Sequence, residues 1–219
     1  MARARAFRPR SIGIIMDDFG LAQWVGGPGT YPYKSLVLGN VTYNNGGRGI
    51  QVGPTSGNVS VYNNTSYNNN LDTIWAETCR GEVFVWGNST NVVNNVLYAV
   101  PMNTGKITDH NSGICWAGIP DKNDTFSHNL TFNGTVGQNS VTVQGTTNDT
   151  VNLNAIIANN TLLGTDPKLA NVGTKDFYPL AGSPVLGGGT PGPLGYPAYT
   201  VDGFEQPSPP NIGALAVRP

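Results

Sequence analysis

Four charged residues stand out in a chain of 219 residues that has only 12 basic and 13 acidic side chains: Asp17, Asp18, Arg48 and Glu82. Paired carboxylates serve as general acid and base in glycoside cleavage, and as oxygen ligands for Ca²⁺. Asp17 and Asp18 follow directly on the apolar run Ile12 to Met16. Neighbours on a strand point to opposite faces, so both carboxylates reach one groove only at a strand end or bend. Asp is also common in turns and caps, which is the plainer explanation for the pair.

Glu82 opens the apolar run Val83 to Trp86 and is the second carboxylate of an acid–base pair in this reading. Arg48, within Gly46, Gly47, Arg48, Gly49, can bind a uronate carboxylate or take a proton in β-elimination, and is equally explained as a solvated loop charge. Trp24, Tyr31, Trp75 and Glu77 flank these positions with flat faces and a hydrogen-bonding group of the kind a sugar needs. Trp24 and Tyr31 lie in the Gly-rich stretch from Gly20 to Tyr33, long enough to border a groove. Trp86 and Trp116 offer the same flat faces; core packing accounts better for Trp116, while for Trp86 both readings stay open. His110, beside Lys106 and Asp109, and His128 read as ordinary polar-loop residues. No phosphate-binding loop, dinucleotide fingerprint, nucleophile elbow or zinc motif occurs.

The elements that must position these residues are set by a repeat. An Asn recurs in LGNVTY (Asn40), YNNTSY (Asn64), VNNVLY (Asn95), SHNLTF (Asn129) and ANNTLL (Asn160), each followed three residues later by Tyr43, Tyr67, Tyr98, Phe132 or Leu163. The intervals of 24, 31, 34 and 31 residues suit β-coils whose strands keep step while their loops vary. Second apolar runs follow at Gly49 to Val52, Val83 to Trp86, Ile114 to Ala117 and Val141 to Val143. A single coil cannot bury its apolar face, so coils must stack into parallel sheets. Equivalent asparagines then lie above one another and form a hydrogen-bonded ladder. Several are also sequons, at Asn40, Asn58, Asn64, Asn88, Asn129 and Asn133, but a ladder Asn inside a coil cannot carry a glycan.

Composition agrees with an all-β chain: 29 Gly, 16 Pro, many Asn and Thr, and 11% charged residues. A net charge of -1 implies neither nucleic acid nor a basic membrane patch as partner. No run of about 20 apolar residues exists to span a membrane as a helix. Residues 1–11, with Arg3, Arg5, Arg8 and Arg10, read as a flexible basic leader. Cys79 and Cys115 are too few for a disulfide framework; a buried thiol is expected at Cys115, and pairing of the two is left open. From residue 164 onward Pro and Gly forbid regular ladders, so residues 164–219 should run outside the coils of 12–163 or cap the last one.

The segments DPKL, DFYPLAGSPV and VDGF followed by NIGA resemble the C-terminal end of right-handed parallel β-helix proteins of the pectate-lyase-like superfamily. GIIMDDF, VTYNNGGRGIQV and NVSVYNNTSYNN resemble repeat coils of its bacterial members, and together these segments cover most of residues 12–214. The resemblance implies a right-handed, single-stranded parallel β-helix with an irregular C-terminal capping tail, shorter than typical members and similar to their C-terminal portion. It also implies a secreted or cell-surface protein and a polysaccharide lying along one sheet. Because that superfamily hosts lyases, hydrolases, epimerases, tailspikes and adhesins, three expectations stay open. One is a glycoside hydrolase using Asp17 or Asp18 with Glu82. Another is a lyase in which Asp17 and Asp18 hold Ca²⁺ against a uronate. The third is a glycan-binding or structural β-helix without catalysis.

Overall fold

The computed structural model describes residues 12–17, 33–54, 56–72, 80–101, 111–117, 123–134, 140–143, 156, 160–192 and 199–218. Short strands of β-branched and aromatic residues are separated by turns in which Asn repeatedly takes the left-handed backbone conformation. Asn44, Asn63, Asn68 and Asn94 have φ of 56°, 51°, 51° and 55°.

Three strands per coil fall into three parallel sheets. Sheet A stacks β1 (Ile14–Met16), β4 (Ile50–Val52), β7 (Arg80–Val85), β10 (Asn111–Trp116) and β13 (Val141–Val143). Sheet B stacks β2 (Ser35–Leu38), β5 (Val59–Tyr62), β8 (Asn91–Val93) and β11 (Thr125–Ser127). Sheet C stacks β3 (Val41–Tyr43), β6 (Thr65–Tyr67), β9 (Val96–Tyr98), β12 (Leu130–Phe132) and β14 (Leu162–Leu163). The chain visits A, B and C in turn and then returns to A one level on. This is the all-β, stacked parallel arrangement of a solenoid, as the repeat predicts.

Register makes the core from rows of like residues. Ile14, Ile50, Val83, Ile114 and Val141 stack in sheet A, as do Met16, Val52, Val85, Trp116 and Val143. Val37, Val61, Val92 and Phe126 face them from sheet B. Each buried Val or Ile contributes about 1.5–3 kcal/mol by leaving water.

The asparagine ladder lies at the corner between sheets B and C. Asn40 N and Nδ2 donate to Asn64 Oδ1 at 2.9 and 3.0 Å. Asn64 donates in the same way to Asn95 Oδ1, both at 2.9 Å, and Asn95 to Asn129 Oδ1 at 3.0 and 2.9 Å. Asn64 and Asn129 are fully buried, so those two sequons cannot be glycosylated, whereas Asn58 and Asn88 are exposed. The fifth repeat is shifted by one residue from the sequence expectation. Leu162 pairs with Leu130, which places Thr161 at the ladder level and Asn160 (φ 57°) in the left-handed turn position before it. Asn160 Nδ2 there meets His128 Nε2 at 3.1 Å.

The residue three places after each ladder Asn lies outside the coil. Tyr67 packs on Tyr98 at 5.2 Å and Tyr98 on Phe132 at 4.9 Å, edge to face. The tail covers this stack. β15 (Leu169–Asn171) and β16 (Asp176–Pro179) pair antiparallel, joined by a short turn over 172–174. Phe177 of β16 lies 5.5 Å from both Tyr43 and Tyr67. Farther on, Val185 and Ile212 pack on Val96 and Leu130. The tail therefore runs along the flank of the coils. The basic leader, residues 1–11, lies outside the described residues. No helix among the described residues is long and apolar enough to cross a membrane.

Candidate functional site

The outer face of sheet A brings charge and aromatic surface together. Because Val83 and Val85 point inward, Phe84 and Trp86 point outward. Arg48, at the start of the second coil, lays its guanidinium 3.7 Å above the Phe84 ring and donates from Nη1 to Gln51 Oε1 at 2.6 Å. Stacking and a hydrogen bond together fix a side chain that would otherwise sample many rotamers. Trp86 meets Phe84 edge to face at 6.2 Å and 89°, and remains 45% exposed.

Asp17 joins the same face. The residues following β1, β4, β7 and β10 stack as Asp17, Gly53, Trp86 and Ala117, held by Gly53 N to Met16 O, Trp86 N to Val52 O and Ala117 N to Val85 O. The Asp17 carboxylate lies over Gly53, where a Cβ would collide with it. Gly53 leaves room for that approach, which a side chain would force Asp17 to give up. Asp17 and Trp86 are two levels apart, about 10 Å along the stack.

Glu82 is a correction to the sequence expectation. It is fully buried and does not reach the outer face. Its Oε1 accepts Asn69 N at 3.0 Å, and its Oε2 accepts Ser66 Oγ at 2.7 Å and Asn69 Nδ2 at 2.5 Å. Ser66 in turn accepts from Thr42 Oγ1 at 2.9 Å, and Asn69 Oδ1 from Asn45 N and Nδ2 at 3.0 and 2.8 Å. A second polar ladder thus descends from the first coil and ends on the Glu82 carboxylate. Burial outweighs these hydrogen bonds and pushes the carboxyl up to about 7. The physical reason for its position is local. All six residues of β7 are buried, and the constant offset of the β7–β10 register sets Gly113 opposite Glu82, so no side chain of β10 competes with it for that place. Gly49, one level away, leaves the space that Ser66 and Asn69 occupy.

Of the residues singled out from sequence, Asp17 and Arg48 are therefore on one face and Glu82 is inside the coil. Asp18, Trp24, Tyr31, Trp75 and Glu77 lie outside the described residues. Trp86, which core packing also explained, is exposed; the run Val83 to Trp86 is apolar on both faces, so its sequence does not single out Phe84 and Trp86 as outward. Trp116 is buried as expected, donating from Nε1 to Asp124 Oδ2 at 2.9 Å. Cys115 is not a thiol: it is disulfide-bonded and fully buried, and the other cysteine, Cys79, lies outside the described residues. Among the described residues no group of three or more His, Cys, Asp or Glu is placed to hold a metal ion.

No protein-family model matches this chain, and searches of curated proteins and of solved structures find no significant match.

Proposed function

We propose that this protein is a right-handed parallel β-helix of the pectate-lyase-like kind, secreted or cell-surface, that binds an extended polysaccharide along the outer face of sheet A. The observation that supports this reading is the exposed Trp86 beside an Arg48 guanidinium already immobilised on Phe84 and Gln51. A flat aromatic face stacks on the apolar side of a sugar ring, and a preorganised guanidinium and carboxylate bond its hydroxyl or carboxylate groups at little entropic cost. Hydrolysis by Asp17 with Glu82 loses its support, because Glu82 is sealed from any ligand on this face.

Eliminative cleavage is the second reading, favoured by the common face of Asp17 and Arg48. There Asp17 and Asp18 would hold Ca²⁺ and Arg48 would take the proton; ultraviolet absorbance of unsaturated products, abolished by chelator, tests it. Binding is tested by titrating acidic and neutral polysaccharides against tryptophan fluorescence and by calorimetry. Trp86→Ala and Arg48→Ala should each weaken binding about tenfold or more while the melting temperature stays within a few degrees. Unchanged affinity in both variants refutes the face.

A further inference from the structure

Arg48 is held through its backbone as well as by Phe84 and Gln51. The turn that leads into it rests on residues 69–72. Asn45 N and Nδ2 donate to Asn69 Oδ1, Asn70 N to Gly47 O at 2.7 Å, Leu71 N to Asn45 O at 3.1 Å and Asp72 N to Gly46 O at 2.8 Å. Asn69 is in turn held by Glu82, donating from N to Oε1 and from Nδ2 to Oε2. Gly49, on the other side of Arg48, packs on the same group, since a Cβ there would collide with Ser66 Oγ, Asn69 Nδ2 and Glu82 O. A carboxyl inside the coil is thus linked to a guanidinium on the outer face of sheet A by way of Asn69 and the turn 45–47.

This cluster has two hydrogen-bond arrangements. Ionised, Glu82 accepts from Asn69 N, Asn69 Nδ2 and Ser66 Oγ, and the charge strengthens all three bonds. Protonated at Oε2, it donates to Ser66 Oγ, and the Ser66 proton turns to Glu82 O, 3.4 Å away. Asn69 Nδ2 then falls back on Thr42 O at 3.3 Å and Ser66 Oγ at 3.0 Å. The described elements packed around the carboxyl bring no titratable group to it: they bring Thr42 from β3, Ser66 from β6, Asn69 from the turn after β6, Gly49 before β4 and Gly113 from β10. On its own strand, Arg80 donates from Nη1 to Asp72 O at 3.0 Å.

We propose that Glu82 is a positioning residue for Arg48 and a proton-operated control on the outer face of sheet A. Ionisation draws Asn69 and the turn 45–47 onto the carboxylate and fixes Arg48 for a ligand; protonation slackens the same chain of bonds. The effect on affinity rests on the binding role proposed for that face, whereas the effect on Arg48 does not. Overall stability runs in the opposite sense, because burial penalises the charge however well it is bonded.

Nuclear magnetic resonance of the full chain reads the link without a ligand. Arg48 Nε is shielded from water, so its N–H signal, assigned by its loss in Arg48→Lys, should stay visible from about pH 5 to about pH 8. It should shift with one midpoint at about 7, shared with the Glu82 carboxyl carbon, and should not shift in Glu82→Gln. Calorimetry with polygalacturonate, whose carboxylates stay ionised through this range, should show affinity rising about threefold or more across it in the parent and level in Glu82→Gln. A level Arg48 signal, a midpoint apart from that of Glu82, or the same step in Glu82→Gln overturns the proposal. So does binding whose pH dependence survives Glu82→Gln. If Glu82→Gln does not fold, the two midpoints in the parent chain decide. Absence of binding at every pH counts against the binding role of the face, and the Arg48 signal still decides whether Glu82 positions it.

Discussion

Replacing Asn95 by Ala removes the centre of the main ladder, and the cost follows from its partners. Oδ1 accepts from Asn64 N and Nδ2, both at 2.9 Å, and Nδ2 meets Val61 O, Val93 O and Asn129 Oδ1, each at 2.9 Å. These bonds are not equal in consequence. Asn64 Nδ2 keeps Val37 O and Tyr62 O, Val93 O keeps Asn63 N, and Asn129 Oδ1 keeps Asn95 N. Asn64 N has no other acceptor, and it is buried. One orphaned N–H costs about 1–3 kcal/mol, and the four other lost bonds add roughly 0.5 kcal/mol each, giving about 3–5 kcal/mol. For a chain of this length that is a fall in melting temperature of about 10 °C. Urea denaturation followed by circular dichroism measures it, with exposed Asn88→Ala as the control expected within about 0.5 kcal/mol. If Asn95→Ala costs under about 1 kcal/mol, or no more than Asn88→Ala, the ladder is not what holds the corner.

Thr161→Asn should stabilise the protein by about 1 kcal/mol in the same assay: Thr161 Oγ1 is buried with no partner among the described residues, whereas Asn would extend the ladder. Glu82 makes stability depend on pH. Its folded value of about 7 lies above the ordinary 4.5, so the fold holds the extra proton between them. Its contribution is fully present below pH 4.5, declines through that window and is lost above about 7, a change on the order of 3 kcal/mol. Urea midpoints from pH 4 to 8 should show that decline, and Glu82→Gln should flatten it. Gly49→Ala drives a Cβ into Ser66 Oγ and Asn69 Nδ2 and should cost about 2 kcal/mol or more by denaturation.

How much the sequence discloses depends on whether a residue obeys the repeat. Asn40, Asn64, Asn95 and Asn129 were legible because stacking demands the same side chain at the same level. At the fifth repeat the pattern set Asn160 in line, and only the pairing of Leu162 with Leu130 shows that Thr161 takes that level. Phe84 and Trp86 were hidden by a strand apolar on both faces. Glu82 misled for the opposite reason: a charged residue at a strand start suggests solvent, and nothing in its neighbours announces that Ser66 and Asn69, on another strand and turn, fold back to satisfy it.

The tail changes what kind of object the coils form. A stack whose levels touch only their neighbours melts from its ends in steps, each level lost separately. Here Ala214 N bonds Thr65 Oγ1 across 149 residues, Asn63 Nδ2 bonds Asn211 O and Gly213 O, and Thr190 exchanges bonds with Asn94. One segment, residues 190–214, thus ties levels two and three together, and Phe177 adds level one. Fraying of a single level then has to break a contact that spans several, so unfolding becomes more nearly all-or-none. During synthesis the early levels can stack as they emerge, yet their flank closes only when residues 190–214 have left the ribosome.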